Sequence, residues 1–301
     1  MQINWYPGHM AKAKRLLQDQ VARVDAVIEL CDARLPYSSR NPVLGQMLRN
    51  KARVLLLNKS DLADQAKTRQ WLQYFQSRGI QCAAVSADKN AREVLKAIER
   101  MTREKVERSA AKGMRRTVRV MVVGVPNVGK STLINRLHGG SIAKVGDRPG
   151  VTRANQWVRV GEYLELLDTP GMLWPRLDDP VAAKHLAYIS AIKDEVVDTF
   201  ALSVNLLEEL MEIAPEMLEK RFHVTDRELR GQALLEAVCR GRGFLMRGGE
   251  VDLERGCAVV LDEFRDGKLG HITLETPPRE KQEEEPDAEW QNRTPGRHGS
   301  P

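Results

Sequence analysis

The chain has no apolar run of the roughly 18 residues that a membrane-spanning helix needs. Its N-terminus lacks the apolar core of a signal peptide and already reads as a motif, so no cleaved leader is expected. Cysteine is scarce. Cys31, Cys82, Cys239 and Cys257 are spaced for neither a disulfide framework nor a zinc site, which fits free thiols in a reducing cytosol. Aromatic residues make up only 5% of the sequence. The net charge of +6 suits a polyanionic partner and suits plain solubility equally well. What is present is apolar mass: 42% hydrophobic residues over 301 positions can fill two cores, a larger and a smaller one.

One stretch organises the rest. Val118–Val123 is an apolar, β-branched run, Gly124–Thr132 reads Gly-Val-Pro-Asn-Val-Gly-Lys-Ser-Thr, and a helical pattern starts at Leu133. Strand, glycine loop and helix in that order, with Gly124 and Gly129-Lys130-Ser131 at P-loop spacing, cradle phosphates on backbone N–H groups at a helix N-terminus. Asn127, Val128, Gly129, Lys130, Ser131 and Thr132 are the phosphate-binding candidates, with Lys130 reaching the β- and γ-phosphates and Ser131 Oγ on magnesium.

The base is named by a stretch that lies upstream. Arg53–Leu57 reads as a buried strand ending in Asn58-Lys59-Ser60-Asp61. A carboxylate at Asp61 can accept from the ring N–H and the exocyclic amine of guanine together, whereas adenine offers no such pair. Lys59 would lie along the base and Asn58 would tie the loop to the P-loop. A second base loop follows the short strand Cys82–Val85. There, after Ser86, a backbone N–H at Ala87 is expected to meet the guanine carbonyl.

Downstream, Arg148–Thr152 supplies Thr152, which in GTPases closes on magnesium and the γ-phosphate, and Tyr163–Leu167 delivers Asp168-Thr169-Pro170-Gly171. Asp168 would hold the magnesium shell through water, and the Gly171 N–H would meet the γ-phosphate. Base loops therefore precede phosphate loops, the reverse of an ordinary GTPase. The expected fold is an α/β P-loop GTPase sheet with circularly permuted motif order, followed by a smaller helical C-terminal domain. Residues 1–178 are expected to form the GTPase domain with its N-terminal basic helix, 179–275 a helical domain whose basic glycine loop could meet RNA phosphates, and 276–301 a disordered tail rich in proline and charge. Because Asp168–Gly171 becomes the exit from the sheet, Met172–Asp179 would couple γ-phosphate status to the helices.

Those helices are expected at Pro180–Val197, Phe200–Ile213, Asp226–Arg240 and Leu253–Asp266, the last capped by Asp252. Arg240, Arg242 and Arg247, interleaved with glycines, are RNA-contact candidates, as are Lys12, Lys14 and Arg15 of the basic helix Ala11–Val24. Asp32 and Arg34, in the loop after a strand over Asp25–Leu30, either pair with each other or face a ligand.

These motifs, with Trp5–Met10 at the start and Asp32-Ala33-Arg34-Leu35-Pro36 between, closely resemble the circularly permuted ribosome-assembly GTPases of the bacterial ribosome biogenesis GTPase A group, over about residues 1 to 275. The resemblance implies a cytoplasmic enzyme that hydrolyses GTP to GDP and phosphate, slowly alone. It would promote late maturation of the large ribosomal subunit, docking on its rRNA in the GTP state and leaving after hydrolysis, with no membrane or DNA partner. Met172 stands where signalling GTPases carry a water-orienting glutamine, and the resemblance makes His9 the catalytic candidate instead. It also matches Asn127 to a potassium ligand, the alternative being a loop-rigidifying hydrogen bond. Rival readings are an RNA-modification GTPase, against which the motif order argues, and a GTP-sensing RNA-binding adaptor with negligible hydrolysis. An ATP-dependent kinase would leave Asp61 without a task.

Overall fold

A computed structural model describes residues 15, 17–41, 44–48, 51–87, 89, 91–113, 116–143, 155–173 and 179–278. Its centre is a sheet of six strands: β1 (Ala26–Asp32), β2 (Ala52–Asn58), β3 (Cys82–Ala84), β4 (Val118–Val123), β5 (Gln156–Val160) and β6 (Leu164–Asp168), in the order β3-β2-β1-β4-β6-β5. All neighbours run parallel except β5, which is antiparallel to β6. Every residue of β1 is buried, as expected of a strand covered on both faces. The partly alternating exposure of β5 marks it as a half-solvated edge. Among the described residues, helices α1 (Gln65–Ser77), α2 (Ala91–Ala110) and α3 (Lys130–His138) belong to the sheet region.

Strands β1, β2 and β3 step outward on one side, and α2 then carries the chain back to the middle, where β4 pairs with β1. From there β4, β6 and β5 step the other way. The reversal between β1 and β4 is the topological switch point, and in open α/β sheets the ligand crevice opens there, at the carboxyl ends of the strands. Asp32 lies level with Asn58, and Val122 with Asp168, so the motif residues share one edge.

The C-terminal region comprises α4 (Pro180–Tyr188), α5 (Thr199–Ile213), α6 (Pro215–Phe222), α7 (Gly231–Arg242) and α8 (Leu253–Arg265). Asp179, Asp198 and Asp252 cap α4, α5 and α8 by accepting N–H bonds of the first turn. Two expected helix bounds are corrected. The first helix ends at Tyr188, because Ser190 takes φ +54 and the chain turns before a short 3-10 turn at Asp194–Val196. The helix expected from Asp226 begins at Gly231, because Asp226 bonds the N–H of Glu228, two residues on, and makes a turn rather than a cap. Helix α6, which starts at Pro215, and strand β5 were not anticipated. The chain after α8 is also better ordered than a simple linker: up to Glu275 it lies back on the sheet region, where Trp71 Nε1 donates to Glu275 O at 3.1 Å. Residues 279–301, most of the expected tail, lie outside the described residues.

His185 on α4 joins three parts of the chain. Its Nε2 lies 3.0 Å from Glu209 Oε2 on α5, its Nδ1 3.1 Å from Glu275 Oε1, and its Nδ1 3.4 Å from Ser38 Oγ in the loop after β1. Burial alone would depress its pKa, but the hydrogen bonds and charges of Glu209 and Glu275 outweigh that and raise it to about 9. A folded value above the unfolded one means the stabilisation is complete below about pH 6.5 and lost as pH rises through about 9, a term of up to about 3 kcal/mol. The thermal midpoint is therefore expected to fall between pH 6.5 and 9, and to fall less in His185→Gln. Equal pH slopes for the two proteins in calorimetry would show that this cluster contributes no pH-dependent stability.

Candidate functional site

The P-loop follows β4 directly. Gly124 allows close packing, since a Cβ there would meet Leu30 O at 2.3 Å. Gly129, the residue before α3, takes φ +93, and a Cβ there would meet Asn58 Nδ2 at 2.4 Å. Val128 is buried, and Thr132 lies half-buried in the first turn of α3. Lys130 is 6% exposed and its Nζ donates to Gly124 O at 3.1 Å and Val125 O at 2.9 Å, so the ammonium is curled into its own loop. Burial pushes its pKa down to about 8, partly offset by the Asp168 carboxylate. An ammonium so poorly compensated favours an incoming anion. Ser131 Oγ donates to Asp168 Oδ2 at 3.0 Å, which brings together two hard oxygen donors of the kind magnesium takes. The donor set fits that ion: Ser131 could ligate it directly and Asp168 hold its water shell, the ion supplying charge neutralisation at the phosphates.

The loop after β6 closes onto the P-loop. Met172 N–H donates to Gly124 O at 3.3 Å, and a Cβ at Gly171 would meet the Pro126 backbone at 2.7 Å. Thr169 Oγ1 donates to Val122 O at 2.7 Å, anchoring the loop to the end of β4.

Asn58 welds the base side to the phosphate side. Its Nδ2 donates to Val128 O at 2.7 Å, the tie expected between the two loops. Its Oδ1 accepts the Ala87 N–H at 2.8 Å. The Ala87 N–H, expected to face the guanine carbonyl, is thus engaged by Asn58 in this structure. Asp88, whose N–H comes next, lies outside the described residues. Ser60 N–H donates to Val85 O at 3.1 Å, holding the first base loop against the second. Lys59 takes φ +57, and its Nζ lies 3.7 Å from Asp32 Oδ2. Asp61 accepts from Ser86 Oγ at 2.9 Å and Lys89 Nζ at 2.7 Å. Burial would raise its carboxyl, but those two bonds outweigh it and hold the pKa below the usual value, so Asp61 is a ready ionised acceptor.

Other candidates are placed less simply. Asn127, at φ +62, donates from Nδ2 to Ser190 O at 2.6 Å, so its amide reaches out of the P-loop to the turn that ends α4. Arg240 and Arg242 lie on α7 rather than in a loop, and each meets an acid: Arg240 with Glu236 at 3.1 Å and Arg242 with Glu263 at 3.4 Å. Arg247 is exposed at the tip of a small hairpin closed by the Leu245–Val251 bridge, beside half-exposed Leu245 and Met246. Arg15 is exposed. His9, Lys12, Lys14 and Thr152 lie outside the described residues.

Sequence reading left Asp32 and Arg34 open between a pair and a ligand contact. They form a buried bidentate pair, Nε to Oδ1 at 3.0 Å and Nη2 to Oδ2 at 2.8 Å. What it missed is the long-range half: Arg34 Nη1 donates to Phe264 O at 2.7 Å and Arg265 O at 3.2 Å, at the carboxyl end of α8.

Asp61 should decide base identity. Asp61→Asn should lose affinity for GTP by about 10² or more and gain it for xanthosine triphosphate, whose exocyclic oxygen can accept from the new amide. Competition binding measures both, and undiminished GTP affinity in the variant would sink the assignment.

Comparison with known proteins gives a consistent result. Residues 119–229 match the family model described as 50S ribosome-binding GTPase; the match starts in β4, so both base loops lie upstream of it. The chain is 44% identical over 280 residues to ribosome biogenesis GTPase A of Bacillus cereus, covering 92% of this chain and 95% of that one. It is 30% identical to the Thermotoga maritima protein of the same name, over 91% of this chain and 95% of that one. The solved GDP-bound YlqF superposes with a TM-score of 0.63 at 27% identity, covering 87% of this chain and 99% of that one. The GNP-bound YlqF from T. maritima gives 0.62 at 28%, covering 88% and 98%.

Proposed function

The chain belongs to the ribosome biogenesis GTPase A family and is a GTP-hydrolysing enzyme, and on that premise we propose that it acts as an assembly checkpoint on the large ribosomal subunit, docking with GTP bound and leaving after hydrolysis. The observation that carries this reading is the Asn127–Ser190 hydrogen bond of 2.6 Å, by which the P-loop touches the helical region directly. Phosphate occupancy at the loop would act on that contact. A ligand that prefers one pose of the helices is then, by linkage, bound more tightly in one nucleotide state, a coupling typically of about 1 to 3 kcal/mol.

In this proposal residues 1–178 bind and hydrolyse the nucleotide and 179–275 present the rRNA-binding face. Lys59, Ser60, Asp61 and Ser86 form the base site, Asn58 ties it to the P-loop, and Ala87 lines it with its N–H bonded to Asn58 Oδ1 in this structure. Asn127 to Thr132, Thr152 and Gly171 hold the phosphates, and Ser131, Thr152 and, through water, Asp168 hold the magnesium that GTPases generally use. The place of action is the cytoplasm. Among the described residues no helix is long and apolar enough to cross a membrane. The rRNA contact we favour centres on Arg247 at its hairpin tip and on the basic N-terminal helix, with Arg240 and Arg242 contributing only the charge their acidic neighbours leave uncompensated.

Large subunits should therefore co-sediment with the protein more strongly in the presence of a non-hydrolysable GTP analogue than of GDP, and less strongly as salt rises. Arg247→Glu should weaken that binding without altering GTP affinity. Equal co-sedimentation in both nucleotide states would rule the checkpoint out.

For hydrolysis we propose His9 as the water-positioning group, since the thioether of Met172 cannot serve, and a potassium ion at Asn127. Single-turnover assays with large subunits test both assignments. His9→Ala should lose about 10² to 10⁴ in rate while keeping GTP affinity. Wild-type protein should be faster in potassium than in sodium at equal ionic strength. Unchanged rates in either comparison would remove the corresponding assignment.

A further inference from the structure

Behind the base loop lies a segment that the nucleotide motifs do not include. We propose that residues 271–275 position Asn58–Asp61 for guanine, with Thr273 as the positioning residue; this rests on the assignment of that loop as the guanine reader. Thr273 is 1% exposed and sits between the loops that follow β1 and β2. Its hydroxyl accepts the Asp64 N–H at 3.1 Å and donates to Ala33 O at 3.3 Å. Its carbonyl accepts Lys67 Nζ at 2.8 Å. On either side, Ile272 N–H donates to Leu62 O at 3.1 Å and Leu274 N–H to Arg34 O at 3.0 Å, so the segment is stitched to both loops in turn.

These attachments bracket the base-reading carboxylate from one side. Leu62 follows Asp61 directly, and Asp64 is the N-cap of α1, its side chain accepting the Lys67 N–H at 2.7 Å. Gly267 makes room for the contact, at φ +72 and with a Cβ position only 2.6 Å from Leu62 Cδ2. Two-point acceptance from guanine demands that both carboxylate oxygens sit near 3 Å from their donors, and a shift of about 1 Å in the loop forfeits it. At its start the loop is tied to the end of β1 by the Ala33 N–H, which donates to Asn58 O at 2.8 Å, and the Thr273 hydroxyl adds a second tie at the far end of the loop, between Asp64 N–H and Ala33 O. Guanine affinity is thus a property of the whole chain, set partly by residues some 200 positions downstream of the motif. Anything that pulls on the end of α8 acts on the base rather than on the γ-phosphate, and so acts on GDP and GTP alike.

Full-length Thr273→Val keeps the volume and removes both hydroxyl bonds. Equilibrium binding should show GDP and GTP weakened together, by about five- to twentyfold. Inosine diphosphate lacks the exocyclic amine and already forgoes one of the two Asp61 contacts, so it should weaken less, and the preference for GDP over IDP should fall. Thr273→Ser should restore both affinity and preference. Lys67→Met, on the half-buried outer side, should act in the same direction with smaller effect and does not depend on filling the core. Val238→Ala in the helical core, with a comparable loss of Tm, should leave the preference unchanged. A Thr273→Val protein of lower Tm whose GDP affinity and GDP-over-IDP preference both match the parent would overturn the proposal, as would a Val238→Ala protein that lost the same preference. Failure of the base assignment itself shows separately, as an Asp61→Asn protein that keeps its preference for GDP over xanthosine diphosphate.

Discussion

A guanidinium taken out of water must find an acceptor for its N–H donors, and Arg34 is 1% exposed. Asp32 takes two of its bonds and the last carbonyls of α8 take two more, with the ring of Phe264 5.0 Å beneath. Those carbonyls are the negative end of a helix dipole, a natural seat for a cation. The end of β1 and the end of α8 are therefore joined by one buried charge. Stranding half of such a pair costs about 3 to 5 kcal/mol, more than a nucleotide-driven rearrangement normally supplies. The base side of the sheet is thus fastened to the end of α8 by this buried pair, and the phosphate side meets the helical region through the Asn127–Ser190 hydrogen bond.

The same economy shapes the nucleotide site. One amide, Asn58, joins Val128 of the P-loop to Ala87 of the second base loop. Asp32, at the same level of the sheet, balances Arg34 and lies within reach of Lys59. Base and phosphate loops follow strands on opposite sides of the sheet, β2 and β3 on one and β4 and β6 on the other, yet they are fastened across the switch point by side chains that stand at strand ends.

That part was legible in the sequence, because glycine spacing and strand-end chemistry are local. The P-loop, the Asn58 tie, the Asp252 cap and the motif order could all be read from short windows. Pairings over long distances could not. Nothing near Thr273 marks it as a partner of Asp64, and no local pattern tells that Glu275 will meet His185. Some misreadings were local contests decided by a single atom. Asp226 spent its carboxylate on a turn, and Ser190 adopted a left-handed conformation that ended α4 early. Arg240 and Arg242 looked like loop cations because glycines surround them, but Gly241 lies within the helix, where a Cβ would meet Phe222 O at 1.9 Å, so that glycine serves helix packing.

Strand order also fixes a schedule for the nascent chain. Ala26 pairs with Ala52 on one side and with Val120 on the other, so β1 gains its first neighbour early and its second only after β4 has been made. Until then β1, largely apolar and buried along its whole length in the finished fold, is an open edge of a three-stranded fragment, the kind of surface that recruits stray strands. At synthesis rates of about 5 to 20 residues per second that interval lasts several seconds. Glu29, in the middle of β1 and buried in the finished fold, is then a solvated charge on that edge. The permuted order thus assigns the central strand of the mature sheet a period as its most exposed one.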